Sequence, residues 1–472
     1  MKVRTRFAPS PTGFMHIGNL RTAIFEYLTA KHECGNFILR IEDTDLTRKV
    51  DGAIDFIYDT LKICNMDINE GPSNPGEYGP YIQSERIDLY KKYAEELVKN
   101  GKAYYCFCTE DTLEEMRHIA DQRKVPFMYD GRCKNLTNEE INEKLSSGIP
   151  YVIRQNMPKE GISIFNDTVY GEIRVENKVL EDQILIKSDG YPTYNFANVI
   201  DDHLMNITHV IRGNEYLSQT PKYNLLYEAF GWDTPTYIHV PMVLGSDGNK
   251  LSKRNGDASF MDLYKEGYLP EAIINYLVLL GWSPDSNQEV YSMDELIKVF
   301  NPNRISKSPS TYDIKKLQWF NAKYIRALSD EDYLKFIKPF LTYDISDKSD
   351  EWVNKLLLIY KDHISYGEEI NEVVSIFFND EFTISSENND FLNSDPLVND
   401  VIKCYRDELN NLSDWNTESI ANVINIVKEK TGAKGKLLYM PIRIKVSGVE
   451  HGPELPDELY LIGKDKVIDR LS

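Results

Sequence analysis

Lys2-Val-Arg-Thr-Arg-Phe-Ala-Pro-Ser-Pro-Thr-Gly-Phe-Met-His16-Ile-Gly18-Asn19 is the stretch on which the fold turns. Lys2 to Phe7 alternates polar and apolar residues, with Val3, Thr5 and Phe7 on one face and Arg4 and Arg6 on the other, which predicts a strand. Pro9, Ser10, Pro11, Thr12 and Gly13 break that pattern. A helix is expected from about Asn19, where Leu20, Ala23, Ile24, Tyr27 and Leu28 recur at helical spacing, with its end near Gly35. Phe37 to Ile41 reads as a short apolar strand and Asp51 to Cys64 as a second helix. Strand, loop, helix, strand is how a parallel α/β sheet begins. His16-Ile-Gly18-Asn19 therefore falls at the carboxyl end of a strand, where open α/β sheets bind ligands. A polyphosphate placed there meets the unpaired N–H groups and positive dipole of a helix N-terminus. Gly13 and Gly18 permit close backbone approach. His16 and Asn19 can donate hydrogen bonds to phosphate oxygens as charge builds.

The rest of the chain bounds the function classes. Its 472 residues predict about three domains, and 42% hydrophobic with 27% charged residues is the balance of a globular protein. Lys and Arg number 54 against 74 Asp and Glu, so the net charge of −20 excludes a generally basic nucleic-acid coat. It leaves room for an acidic enzyme that grips RNA through local basic patches. The most apolar run, Tyr276 to Trp282, is far shorter than the roughly 20 residues of a membrane span. Met1 to Pro9 has no apolar run of the signal-peptide kind, and six cysteines are too sparse for a disulfide framework, so a cytoplasmic location is expected.

From about Asn100 to Ile186 the sequence turns polar and reads as helix-rich, so residues 101–190 are taken as an insertion in a nucleotide-binding domain. The α/β pattern then returns, with a strand at Thr208 to Ile211, a helix at Ser218 to Phe230 closed by Gly231, and a strand at Tyr237 to Leu244. Beyond Lys323 the signals are almost entirely helical, and Thr342 to Glu351 has the composition of a linker. A second phosphate motif, Lys250-Leu-Ser-Lys253-Arg254, follows Gly245-Ser-Asp-Gly248-Asn. Two lysines three apart in a glycine-bearing loop can swing ammonium groups onto phosphates.

This pair of motifs resembles the HIGH and KMSKS signatures of class I aminoacyl-tRNA synthetases. More narrowly, Arg4-Thr-Arg-Phe-Ala-Pro-Ser-Pro-Thr-Gly with Arg40-Ile-Glu-Asp-Thr-Asp45 resembles the glutamyl-tRNA synthetases of bacterial type. The likeness continues through Gly79-Pro-Tyr-Ile-Gln-Ser-Glu-Arg86, Ser188-Asp-Gly-Tyr-Pro-Thr-Tyr194-Asn-Phe-Ala-Asn198, Asp201-Asp-His-Leu-Met205 and Lys434-Gly-Lys-Leu-Leu-Tyr-Met-Pro-Ile-Arg443. Asn19 stands where the signature ends in His, and it keeps a hydrogen-bond donor.

The resemblance implies a Rossmann-like parallel-sheet catalytic domain in two halves, residues 1–100 and 191–245, around an acceptor-end-binding insertion at 101–190. A stem-contact region at 246–323 would carry the lysine loop, and an all-α anticodon-binding region would occupy 324–472. The implied reaction attacks the α-phosphate of ATP with L-glutamate, giving glutamyl-adenylate and diphosphate, then passes the glutamyl group to the 2′-hydroxyl of the terminal tRNA ribose. Mg2+ is expected to travel with ATP. His16, Asn19, Lys250 and Lys253 are the implied catalytic residues. Arg6, Ala8, Ser10, Glu42, Tyr194, Asn198 and Arg212 are implied for glutamate and its adenylate, with Arg6 and Arg212 on the side-chain carboxylate and Glu42 on the α-ammonium. Pro9, Gly18, Glu215 and Lys253 are implied for ATP. Arginine suits the first task on chemical grounds as well, because its planar fork matches a carboxylate. Asp43, Asp45, Asp201 and Asp202 read as structural carboxylates, since no histidine stands beside them at ligand spacing.

Cys106 and Cys108 point to one face of an expected strand, and Cys133 follows after a helical stretch. Some relatives bind zinc through such cysteines, with a tyrosine or histidine as fourth ligand. Here Asn135 stands where a histidine would be needed, leaving Tyr129. Two states are open for this cluster, a zinc site or three unligated thiols. Lys428 to Lys445 carries six Lys and Arg against one Glu, whereas Glu381 to Glu418 is acidic, an asymmetry that suits the docking of one end of a tRNA or is ordinary surface scatter. The expected partners are tRNA(Glu), with tRNA(Gln) open, and L-glutamate, and the expected state is a monomer. Glutaminyl enzymes usually end in β-barrels, against the helical C-terminus here. A small-molecule nucleotidyltransferase has no use for so large a helical appendage, and a non-catalytic tRNA-binding paralogue need not keep both phosphate motifs.

Overall fold

The computed structural model describes residues 2–13, 15–45, 50–249, 251, 259–379 and 382–472. Strand β1 (Arg4–Phe7) runs parallel to β2 (Asn36–Leu39), with Arg6 opposite Ile38, and helix α1 (Ile17–His32) connects them. The helix begins two residues before the expected Asn19, because His16 caps it: its Nδ1 accepts the N–H of Gly18 at 3.1 Å. Its end demands glycine, since a Cβ on Gly35 would lie 2.3 Å from the carbonyl oxygen of Val3. All four residues of β1 are buried, so the arginine face does not look onto solvent. Burial on both faces is the signature of a parallel sheet covered on each side.

Helices α2 (Ala53–Ile63) and α3 (Ile87–Lys99) follow. The inserted segment is not helix-rich. It has helices α4 (Glu110–Gln122) and α5 (Asn138–Ser146), but β3 (Ala103–Cys106), β4 (Val152–Gln155) and β7 (Ile184–Ile186) form an antiparallel sheet. The insertion also contains a hairpin of β5 (Ile162–Asp167) and β6 (Gly171–Glu176), outside that sheet. The hairpin turns Ile162 and Ile164 to solvent, about half exposed, and buries Asp167, so it lacks the apolar-in, polar-out alternation of an ordinary half-buried strand.

Helix α6 (Tyr194–Leu204) leads to a second strand–helix–strand unit, β8 (His209–Gly213), α7 (Thr220–Phe230) and β9 (Thr236–Val240). Gly231 closes α7 in the left-handed conformation, φ 69°, as expected. Beside β1 the N–H of Thr208 donates to Arg4 O at 3.0 Å, so the carboxyl ends of β1 and β8 open on one crevice. The expected strand Tyr237 to Leu244 is broken at Pro241 into β9 and β10 (Val243–Leu244), since proline cannot donate to a ladder. β10 pairs with β11 (Ser310–Thr311).

The chain divides into two compact units, Met1–Met261 with Ile274–Asp313, and Asp262–Ile273 with Ile314–Ser472. Among its described residues the second unit has no strand. Its helices bury one core around Val401, Tyr405, Ile424 and Leu438 and another around Tyr333, Leu356 and Ile364. Thr342 to Glu351 is not a linker between bodies. It lies inside this unit, where Tyr343 stacks on Phe378 with ring centroids 4.4 Å apart.

Candidate active site

A cavity of about 910 Å³ opens at the carboxyl ends of β1 and β8. Arg6, Ala8, Pro9 and Ser10 line it from β1 and its loop, and His16, Gly18 and Asn19 from the start of α1. Glu42 follows β2, Tyr194 begins α6, Arg212 ends β8, and Glu215 comes just after. Residues spread over more than 200 positions thus share one wall. Asn198 does not line the cavity; it is buried one turn behind Tyr194, beside Tyr223. Lys250 and Lys253 lie outside the described residues, while their neighbour Leu251 lines the cavity.

His16 does two things at once. Because its Nδ1 accepts from Gly18, the neutral ring carries its proton on Nε2, where it can donate to an anion. Arg21, which sequence reasoning missed, lies one turn into α1 and lines the cavity while only 2% exposed. It donates to Leu280 O at 2.8 Å and to Pro241 O, and burial lowers its pKa to about 10. The available signal was an arginine within the apolar stripe of the helix.

Below the cavity lies a buried charge network. Asp202 on α6 receives Arg6 Nε at 3.0 Å and Arg40 Nη1 at 2.7 Å. Burial alone would raise the Asp202 carboxyl, but Arg6 and Arg40 outweigh it and hold the group below its usual range. Its neighbour Asp201 accepts from Arg86 (2.7 Å), Tyr90 (2.9 Å) and Gln83 (2.9 Å), and Asp43 accepts from Ser84. Asp43, Asp201 and Asp202 thus each accept hydrogen bonds from other side chains of the fold. Asp45 lines the cavity.

Glu42 accepts from Arg40 Nη2 at 2.9 Å, yet burial pushes its carboxyl up to about 7 against the pull of Arg40 and Arg6. Glu26, also missed from sequence, lines the cavity beside Arg6 and is raised well above the carboxylate range, chiefly by burial.

The two arginines expected to read a carboxylate are unequal. Arg6 already faces Asp202, with Glu26 at 3.3 Å. Arg212, 6% exposed, has no carboxylate within salt-bridge distance among the described residues. It donates to Thr220 Oγ1 at 2.8 Å and His239 Nε2 at 3.1 Å, and its guanidinium carbon lies 4.6 Å to 5.4 Å from the ring centroids of Tyr216, Tyr223 and Tyr237. Among the described residues its hydrogen-bond partners are neutral, and it lines the cavity.

Elsewhere in the first unit, the Sγ atoms of Cys106, Cys108 and Cys133 lie within 4.8 Å of one another. Tyr129 Oη is 3.3 Å from Cys106 Sγ and 3.4 Å from Cys108 Sγ, and Cys108 and Cys133 are 3.7 Å apart. A tetrahedral ion with sulfur ligands at about 2.3 Å spaces its sulfurs by about 3.8 Å, so this donor set fits zinc. Asn135 sits at the end of the short turn that carries Cys133.

Comparison with known proteins agrees over the whole chain. A family model for class I tRNA synthetases (E and Q), catalytic domain, matches residues 2–319, and one for an anticodon binding domain matches residues 332–472. The glutamate–tRNA ligase of Clostridium botulinum strain Hall is 49% identical, covering 100% of this chain and 97% of its own. That of Clostridium kluyveri is 47% identical, with coverage of 100% and 97%. The crystal structure of a glutamate tRNA ligase from Elizabethkingia meningosepticum in complex with its amino acid is 37% identical, with TM-score 0.88, over 100% of this chain and 98% of that one.

Proposed function

Since this chain belongs to the class I aminoacyl-tRNA synthetases for glutamate and glutamine, and has glutamate–tRNA ligase activity on tRNA(Glu), we propose the following division of labour among its residues. The observation that carries it is Arg212, a buried guanidinium on the cavity wall with neutral partners only among the described residues. Its natural complement is the side-chain carboxylate of L-glutamate. Arg6 contributes less, because Asp202 already offsets its charge. Glu42, once ionised, holds the α-ammonium group, and Ala8, Ser10, Tyr194 and Asn198 complete the pocket.

ATP then lies along Pro9, Gly18 and Glu215, with its phosphates toward the N-terminus of α1. His16 Nε2–H and the Asn19 amide donate to the phosphate oxygens as charge develops, and Lys250 and Lys253 add positive charge there. Mg2+ would travel with ATP and would add positive charge at its phosphates. The attacking glutamate carboxylate is already an anion, so positioning and charge stabilisation suffice and no general base is required. In the second step the tRNA 2′-hydroxyl oxygen attacks the glutamyl carbonyl, a phosphate oxygen of the adenylate takes its proton, and the bond from the carbonyl to the phosphate breaks to release AMP.

The catalytic halves are 1–100 and 191–245, with the acceptor-end insertion at 101–190, the stem-contact region at 246–323 and the anticodon region at 324–472. The chain works in the cytoplasm as a monomer. Cys106, Cys108, Cys133 and Tyr129 would hold one zinc ion, which supplies a structural cross-link.

Charging purified tRNA(Glu) and tRNA(Gln) with labelled glutamate tests the scheme. Tight charging of tRNA(Glu) is expected, and the yield on tRNA(Gln) defines the acceptor range. Arg212→Lys should raise the KM for glutamate by about tenfold or more while sparing the KM for ATP. An effect on ATP alone overturns the assignment of Arg212.

A further inference from the structure

Arg212 has to meet two demands that conflict. Its guanidinium must be held in one orientation, and its charge must stay unspent for the ligand. A carboxylate behind it would satisfy the first demand and defeat the second, as Asp202 does for Arg6. Behind Arg212 the structure has instead a chain of neutral acceptors that ends in a remote carboxylate. Asp167, at the end of β5, is locked in place because its Oδ1 accepts the N–H groups of Val169 (2.9 Å) and Tyr170 (2.8 Å). Its Oδ2 accepts from the backbone N–H of His239 at 3.0 Å and from His239 Nδ1 at 2.7 Å. The imidazole proton is therefore on Nδ1, and the lone pair on Nε2 faces Arg212 Nε at 3.1 Å. Thr220 Oγ1 donates its hydrogen to Tyr216 O at 2.9 Å and accepts from Arg212 Nη2 at 2.8 Å. His239 and Thr220 are both 0% exposed and Asp167 4%, so water does not compete for these contacts.

We propose that Asp167 and His239 are positioning residues for the amino-acid pocket: Asp167 fixes the His239 tautomer so that Nε2 presents a neutral acceptor to Arg212, which aims a fully charged fork at the glutamate side chain. Burial keeps the His239 ring neutral by lowering its pKa, in line with this role. The groups facing the ring are Asp167, Arg212, Thr220 and Tyr237, with Glu215 at longer range. Because Asp167 belongs to the inserted hairpin and pairs with Tyr237 of β9, the insertion would also help to shape the pocket. The inference rests on Arg212 reading glutamate.

The test compares steady-state charging kinetics of Asp167→Asn, His239→Ala, His239→Gln and Arg212→Lys, each checked for an unchanged melting temperature. In Asp167→Asn the amide oxygen stays on the Val169 and Tyr170 N–H groups, so its NH2 gives up the bond from the His239 backbone N–H, faces Nδ1 and drives the proton to Nε2. Donor then meets donor at Arg212, although side-chain shape is kept. A rise of about tenfold or more in the KM for glutamate is expected for Asp167→Asn and His239→Ala, with the KM for ATP within about twofold. His239→Gln, whose Oε1 can replace Nε2 as acceptor, should recover most of the loss. If Arg212→Lys raises the glutamate KM while Asp167→Asn and His239→Ala do not, the positioning role is overturned and the reading of Arg212 survives. If Arg212→Lys itself leaves the glutamate KM unchanged, the reading beneath it fails. Should Asp167→Asn not fold, the contrast between His239→Ala and His239→Gln decides the matter, and equal losses in both overturn it.

Discussion

Glu42 shows how burial and charge compete at a single residue. Its carboxyl is pushed by burial to about 7, above the ordinary 4.5, while Arg40 and Arg6 pull the other way. Only the ionised form can hold an ammonium group. Glutamate binding should therefore strengthen as pH rises from 6 to 8, and Glu42→Gln should bind more weakly with that pH dependence gone; calorimetric titration across this range checks it. Stability moves in the opposite sense. The unfolded carboxyl loses its proton near 4.5 and the folded one only near 7, so the contribution of Glu42 is full below 4.5 and lost as pH rises through 7. Urea midpoints at pH 5 and pH 7.5 should accordingly lie closer together in Glu42→Gln than in the parent.

At the scale of elements, Asp202 on α6 ties two strands together by accepting from Arg6 of β1 and from Arg40, just beyond β2. Asp202→Ala leaves two guanidinium groups buried with too little counter-charge, and should cost about 3–5 kcal/mol in urea unfolding. The cysteine cluster does similar work in the insertion, joining the end of β3 to the turn that carries Cys133. Metal analysis should find close to one zinc per chain, and Cys108→Ser should lower that figure and loosen the insertion to proteolysis while the helical unit stays folded. The hairpin of β5 and β6 went unseen in the sequence for a physical reason. Its exposed face carries Ile162 and Ile164 while Asp167 is buried, and that burial depends on a distant partner, Tyr237, which local periodicity does not report.

For the whole molecule the question is how a chain of net charge −20 holds a polyanion. Of the six cations from Lys428 to Lys445, Arg443 is committed to Glu458 at 2.8 Å and Lys430 to Glu408. Lys428, Lys434 and Lys436 remain exposed, beside Tyr439 at 49% exposure. If these lysines meet tRNA phosphates, Lys434→Ala and Lys436→Ala should each weaken tRNA binding and lower the slope of log affinity against log salt by about one. Filter binding at several salt concentrations reads this directly, while the glutamate KM at saturating tRNA should not move.

What the sequence determined by itself is local and periodic. The break at Pro9 to Gly13 between strand and helix, Gly231 after its helix and the ordered motifs from Arg4 to Arg443 were legible because each depends on neighbours a few positions away. The family and most of the cavity wall followed from those motifs. Only the tertiary structure decided which charges are spent and which are free. Arg6 and Arg212 are the same side chain at the ends of two strands, and they differ because Asp202 lies behind one and His239 behind the other. Those partners are 196 and 27 positions away, respectively, and no periodicity reports on them. Desolvation has the same origin: Glu42 and Glu26 are ordinary carboxylates in the sequence and become high-pKa groups only when the fold removes their water.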